Sequence, residues 1–139
     1  MAVRTQDLET IAPVLATFNV QQSGGVDQLK DADLGSAVRL TASNEVGPVG
    51  ADEQLLGKLL SLTLSDNDNG RRLATVQIGG ICRLPISATY PVVGNRVVGG
   101  AGATVKQAPV VASDPAGGNI ARGTVLEVNG TIDCVILLN

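Results

Sequence analysis

The chain has 139 residues and a net charge of -3, with one Phe, one Tyr, no Trp and no His. A domain of this length buries roughly two-thirds of its unfolded surface, but charged residues make up only 17% of it, which leaves little charge to coat a monomer. The acidic balance and the lack of stacking platforms exclude nucleic acid as an expected partner, the missing imidazole excludes the usual hydrolytic triads, and two cysteines without histidine exclude a tetrahedral zinc site.

Residues 1–34 read as an N-terminal arm and linker, and residues 35–139 as a β domain. In the arm, Pro13 interrupts any long regular element and Ser23-Gly24-Gly25 is a break. Val14, Ala16, Phe18 and Val20 share one face and give a short strand, and "VDQLKDAD" suits a helical turn. Asp7 and Glu9 stand where a signal peptide would carry its apolar core, and no apolar run nears the ~20 residues of a spanning helix. Synthesis in a cytoplasm with no membrane partner is the expectation. From Gly35 on, turn residues recur roughly every 8–12 positions, the spacing of an all-β fold. "SAVRLTA" alternates as a strand, and "NEVGPVGADE" reads as a loop around Pro48. "LLGKLLSLTLS" carries Gly57 and an alternating Leu62-Thr63-Leu64 end, so it reads as a bent strand or strand pair. "DNDNG" is a turn that joins it in a hairpin to "RLATVQIGG".

"GGICRLPIS", residues 79–87, reads as a corner. The two glycines allow a bulge or close strand approach, Ile81 and Leu84 pack inward, and Pro85 ends the ladder because it lacks an N–H. "YPVVGNRVVGGAGATVKQ" reads as two short strands about Gly99, Gly100 and Gly102. The last hairpin joins "GTVLEV" to "TIDCVILLN" through Asn129-Gly130, the preferred pair for a two-residue type I′ turn. Ile132, Cys134, Ile136 and Leu138 share one face, and both faces become apolar toward the terminus, so this strand is expected to be covered on both sides. The sum is an all-β fold, a small antiparallel barrel or sandwich, preceded by an extended arm.

Chemistry is sparse. Cys82 and Cys134 read as small buried hydrophobes, with a bridge left open because it depends on Cα separation. The close carboxylate pairs Asp31/Asp33, Asp52/Glu53 and Asp66/Asp68 lie in apparent loops, and Lys30, Lys58 and Lys106 read as solvated charges. "DNDNG" fails as a calcium loop: with Gly70 at the glycine position, Ser65 stands first and Val76 last, where carboxylates are needed. "GGAGATVK" lacks the Gly-Lys-Ser/Thr of a phosphate loop, and "NGT" at 129–131 marks a turn. No enzyme activity, cofactor or metal is expected.

The order of "LGSAVRLTASNEV", "LLGKLLSL", "RLATVQIGGICRLPIS", "YPVVGNRVV", "ARGTVLEV" and "TIDCVILLN" resembles a family of small tailed-phage head proteins, the capsid decoration or cement proteins. The likeness covers about residues 34–139. It implies a structural protein on the capsid exterior of the virion that binds the major capsid protein and tightens the mature head. A ligand selective for the mature lattice stabilises it by mass action, and linked copies gain avidity. The same resemblance favours a homotrimer, with a homodimer as the alternative. Capsid-contact candidates are Val3, Leu8, Ile11, Val14 and Phe18 in the arm, ordered on binding. Arg83 is a further candidate, either paired with a partner's carboxylate or solvated. A receptor- or glycan-binding module of a fibre or tail is the alternative function, with the loops at 44–53 and 113–119 as its recognition surface.

Overall fold

Valine, leucine and alanine at alternate positions build strands throughout the structure, a computed structural model that describes residues 11–63, 71–109 and 120–139. The strands are β1 (Ile11–Val20), β2 (Gln22–Ser23), β3 (Val26–Asp27), β4 (Ala37–Ala42), β5 (Glu45–Pro48), β6 (Gly57–Leu62), β7 (Leu73–Pro85), β8 (Val97–Gly100), β9 (Thr104–Gln107), β10 (Thr124–Asn129) and β11 (Asp133–Leu138). A short 3₁₀ turn lies at Asp31–Asp33. The fold is all-β, as the spacing of the turn residues predicts.

β1, β5, β4, β6 and β7 pair in that order, and β7 closes back on β1 to form a five-stranded barrel. β1–β5 is its parallel pair, joined at Asn19–Val20; the other pairs are antiparallel. Val20, Leu29, Val38, Val46, Leu59, Ala74 and Val76 fill the barrel, with Phe18, Leu56, Leu62 and Ile78 packed around them. The described part of the segment expected as an arm is thus barrel wall: β1 lies along β7 from Ile11 opposite Ile81 to Asn19 opposite Leu73. Burying each large aliphatic side chain on the barrel axis is worth roughly 1.5–3 kcal/mol, which an arm in solvent would forgo. Pro13 does not break this strand, because it falls in a register shift between Ile11 and Val14, where a missing N–H costs no ladder bond.

β7 is the longest strand and belongs to two layers. One edge pairs with β6 at Ala74–Gln77, and beyond Gly79 the sheet continues through β11, in register from Leu138 opposite Gly80 to Asp133 opposite Pro85. The glycine pair therefore marks a change of partner within one continuous strand rather than a corner. Gly80 has φ 86°, a conformation that costs other residues about 1–2 kcal/mol. The expected bulge lies one residue earlier, where the pairing of β1 steps from Gly79 to Gln77 and skips Ile78. Leu84 is buried as expected, but Ile81 is only half-buried, since residues three apart in a strand point to opposite faces. Pro85 does end the strand.

A second core lies between β7, β11 and β10 on one side and the β8–β9 hairpin on the other. It contains Cys82, Leu84, Ile86, Val97, Val105, Val125, Cys134, Ile136 and Leu138, with Ala37, Val49 and Leu55 from the barrel side. β4 thus serves both cores through alternate residues, Ala37 in one and Val38 in the other.

Two local readings change. The stretch around Pro48 is strand β5 rather than a loop, since Asn44 at φ 54° makes the tight turn that brings Glu45–Pro48 alongside β4. The last hairpin turns one residue later than the Asn-Gly pair suggests: the Ile132 N–H donates to the Asn129 carbonyl at 3.1 Å, and Gly130 at φ 56° is the residue of that turn with positive φ. Gly130-Thr131 is therefore the central pair of that turn, and the loop between paired Asn129 and Asp133 has three residues, 130–132. Of the apolar run "LLGKLLSL", Gly57–Leu62 form one strand with a register shift between Leu59 and Ser61, and Leu55-Leu56 precede it. The turn at "DNDNG" and the loop at 113–119 lie outside the described residues.

Candidate functional site

The described carboxylates of the close sequence pairs each have a partner within the chain. Asp31 pairs with Arg72 at 2.6 Å, Asp52 with Lys106 at 2.8 Å and Glu53 with Arg39 at 3.1 Å. Asp33 accepts the Lys30 backbone N–H at 2.7 Å. Asp66 and Asp68 lie outside the described residues. Glu45 accepts from Thr41 Oγ1 at 2.6 Å and from Arg71 Nη2 at 2.8 Å, and these two bonds hold its pKa below the ordinary value. Cys82 and Cys134 are free and buried. Cys134 stands opposite Leu84, and Cys82 opposite Ile136, so the two are not cross-strand partners. Desolvation pushes their thiols up to about 11 and about 12, which keeps both protonated and non-nucleophilic at neutral pH.

What the surface offers is apolar. Tyr90, Val92 and Val93 are 44%, 59% and 64% exposed, all in the loop that follows β7. This loop is pinned rather than loose. Ser87 N–H donates to Val105 O at 3.0 Å and Gln107 N–H to Thr89 O at 2.9 Å, while Gly94 N–H donates to Val125 O at 2.8 Å and Val125 N–H to Asn95 O at 2.9 Å. Asn95 Oδ1 accepts the Val92 N–H at 2.7 Å, and Pro91 is buried beneath. Alternation alone reads "YPVV" as a strand. The contrary signals were Pro91, which gives no ladder bond, and Asn95, whose side chain bonds nearby backbone in turns.

The residues expected to touch a partner are scattered. Val3 and Leu8 lie outside the described residues, and Ile11 begins β1 in register with Ile81. Val14 is 54% exposed, at the end of β1 that runs past the barrel, and its neighbour Leu15 is 52% exposed. Phe18 packs against the barrel core and serves the fold. Arg83 is neither solvated nor waiting for a partner: its Nη1 donates to Asp133 Oδ1 at 2.7 Å within the chain. Both residues of that ion pair line a groove of about 400 Å3, together with Leu34, Lys58, Pro85 and Ile132. Of the loops considered for glycan recognition, 44–53 is largely β5 and a turn tied to β8 by Asp52 N–H to Gly99 O at 2.9 Å.

No metal-ligating cluster and no helix long and apolar enough to cross a membrane occur among the described residues. What remains is a β scaffold that displays aliphatic side chains and one tyrosine on backbone pinned by hydrogen bonds, an arrangement suited to protein contact. Compared with models of known families, with curated proteins and with solved structures, the chain matches none.

Proposed function

We propose that this is a structural adhesion protein that decorates the outer surface of a mature phage head, contacts the major capsid protein and bridges neighbouring capsomers, working as a homo-oligomer. The observation that carries the reading is the loop presenting Tyr90, Val92 and Val93: three large apolar side chains within four residues, on backbone hydrogen-bonded to β9 and β10. Pre-fixed apolar contacts lose little entropy on binding, so a small area holds well. The order of strand motifs and the low charge support the same reading.

The test is co-sedimentation with expanded and unexpanded heads. The full chain is expected to pellet with expanded heads alone, and Val93→Asp to lose that binding while keeping its thermal midpoint. Equal pelleting of wild type and Val93→Asp would reject the loop as the contact, and no pelleting of wild type would reject the decoration role. Removal of residues 1–10 tests the expected arm separately. A longer truncation would remove β1 and with it the barrel.

A further inference from the structure

One feature plays no part in adhesion by the loop. Leu40 continues on β4 the face of Val38, which fills the barrel, yet Leu40 is 52% exposed. Leu56 and Ile78 lie beside it at the margin of the barrel core. Together with Gln54, Leu55 and Arg122 they line a cleft of about 310 Å3 at the barrel mouth, within the size range of small-ligand sites.

Arg122 makes this cleft more than a gap. Its Nη1 donates to the carbonyls of Leu56 and, at 3.4 Å, Leu55, and its Nη2 donates to the carbonyl of Ile78, the residue skipped at the bulge of β7. Three carbonyls thus fix the guanidinium in place without neutralising it. No carboxylate pairs with it among the described residues, and burial lowers its pKa. A guanidinium has five N–H groups. Its Nε and the second hydrogen of Nη2 have no protein partner among the described residues, and a carboxylate grips a guanidinium with two oxygens.

We propose that the barrel mouth is a binding site for a small aliphatic carboxylate, its chain against Leu40, Leu56 and Ile78 and its carboxylate on Arg122. The fixed, unneutralised cation selects the anion, and the apolar walls select an alkyl chain over a sugar acid or a phosphate. A concave cleft of this size favours a free small molecule over a protein segment.

The experiment titrates the full-length chain with hexanoate, 1-hexanol and an acetylated Leu-Glu-Leu amide, followed by backbone amide shifts. Hexanoate is expected to give saturable shifts centred on Leu40, Leu56 and Ile78, with affinity about tenfold or more above that of 1-hexanol. Leu40→Asp, an exposed substitution that leaves the fold intact, is expected to weaken hexanoate by a similar factor through repulsion. Arg122→Lys, which keeps the charge and loses the fork, is expected to weaken it less. Equal binding of hexanol and hexanoate would overturn the role of Arg122. Absence of saturable shifts, or saturation by the peptide alone, would overturn the site.

Discussion

The two cysteines allow a prediction whose size follows from their burial. Cys82 is 1% exposed and Cys134 fully buried, and desolvation raises their thiols from an ordinary value near 9.0 to about 11 and about 12. For Cys82 the positive charges of Lys58 and Arg122 pull the other way and lose; for Cys134 the neighbouring thiol and Asp133 add to the rise. In the unfolded chain both thiols ionise above about pH 9, whereas in the fold they keep their protons. The unfolded state then binds fewer protons, so stability falls as pH rises. At about pH 10 an unfolded thiol with an ordinary pKa is about tenfold ionised, which favours unfolding by about 1.4 kcal/mol each, or about 3 kcal/mol for the pair. At about pH 8 the effect is close to nil.

Urea unfolding at about pH 8 and pH 10 measures it, with the Cys82→Val, Cys134→Val double variant as control. All other ionisable groups are common to both proteins, so the difference between the two pH dependences isolates the thiols. The wild type is expected to lose about 3 kcal/mol more than the variant. Equal losses would refute the burial argument, as would rapid reaction of the native protein with a thiol reagent at neutral pH.

Other outcomes follow from single contacts. Leu59→Ala, in the centre of the barrel core, is expected to cost about 2–5 kcal/mol in urea unfolding, whereas Tyr90→Ala on the surface loop should change stability by no more than about 0.5 kcal/mol. Gly57→Ala would drive its Cβ into the Gln77 carbonyl oxygen of the paired strand, so loss of soluble folded protein, read by circular dichroism, is expected. Glu45 has a depressed pKa through Thr41 and Arg71; its contribution is present above the ordinary value of 4.5 and lost as pH falls below it. Glu45→Gln should therefore flatten the acid limb of a stability profile.

The β class and most strand positions were legible because period-two alternation and turn residues are local signals. Ala37–Ala42, the run after Leu73 and the last hairpin fall where alternation places them. What could not be read is pairing. Nothing within residues 11–20 says that they lie against residues 73–81, because the partner is some 60 residues away; β1 alone looks like an arm with a proline in it. The same limit hid Glu45–Pro48, whose two glycine-flanked neighbours suggest a loop until β4 and β1 are seen on either side. Arg83 looked free because Asp133 is distant in sequence, and Arg122 carried no local signal since its partners are three backbone carbonyls on other segments.

The change of partner along β7 ties these pieces to the proposed role. Ala74 and Val76 face the barrel core, and Cys82 and Leu84, beyond the bulge on the same strand, fill the second core. Gly80, with φ 86°, lets the strand pass from one to the other without interruption. Neither core can separate from the other without breaking β7 away from β1, β6 or β11. The loop carrying Tyr90, Val92 and Val93 follows β7 and is hydrogen-bonded to β9 and β10, so a pull on that loop is shared among β7, β9 and β10 and spread over many backbone hydrogen bonds. A decoration protein holding capsomers against internal pressure needs a contact that does not peel from its own scaffold. A long strand shared between two cores, followed by the proposed contact loop tied to β9 and β10, offers such a scaffold through backbone pairing.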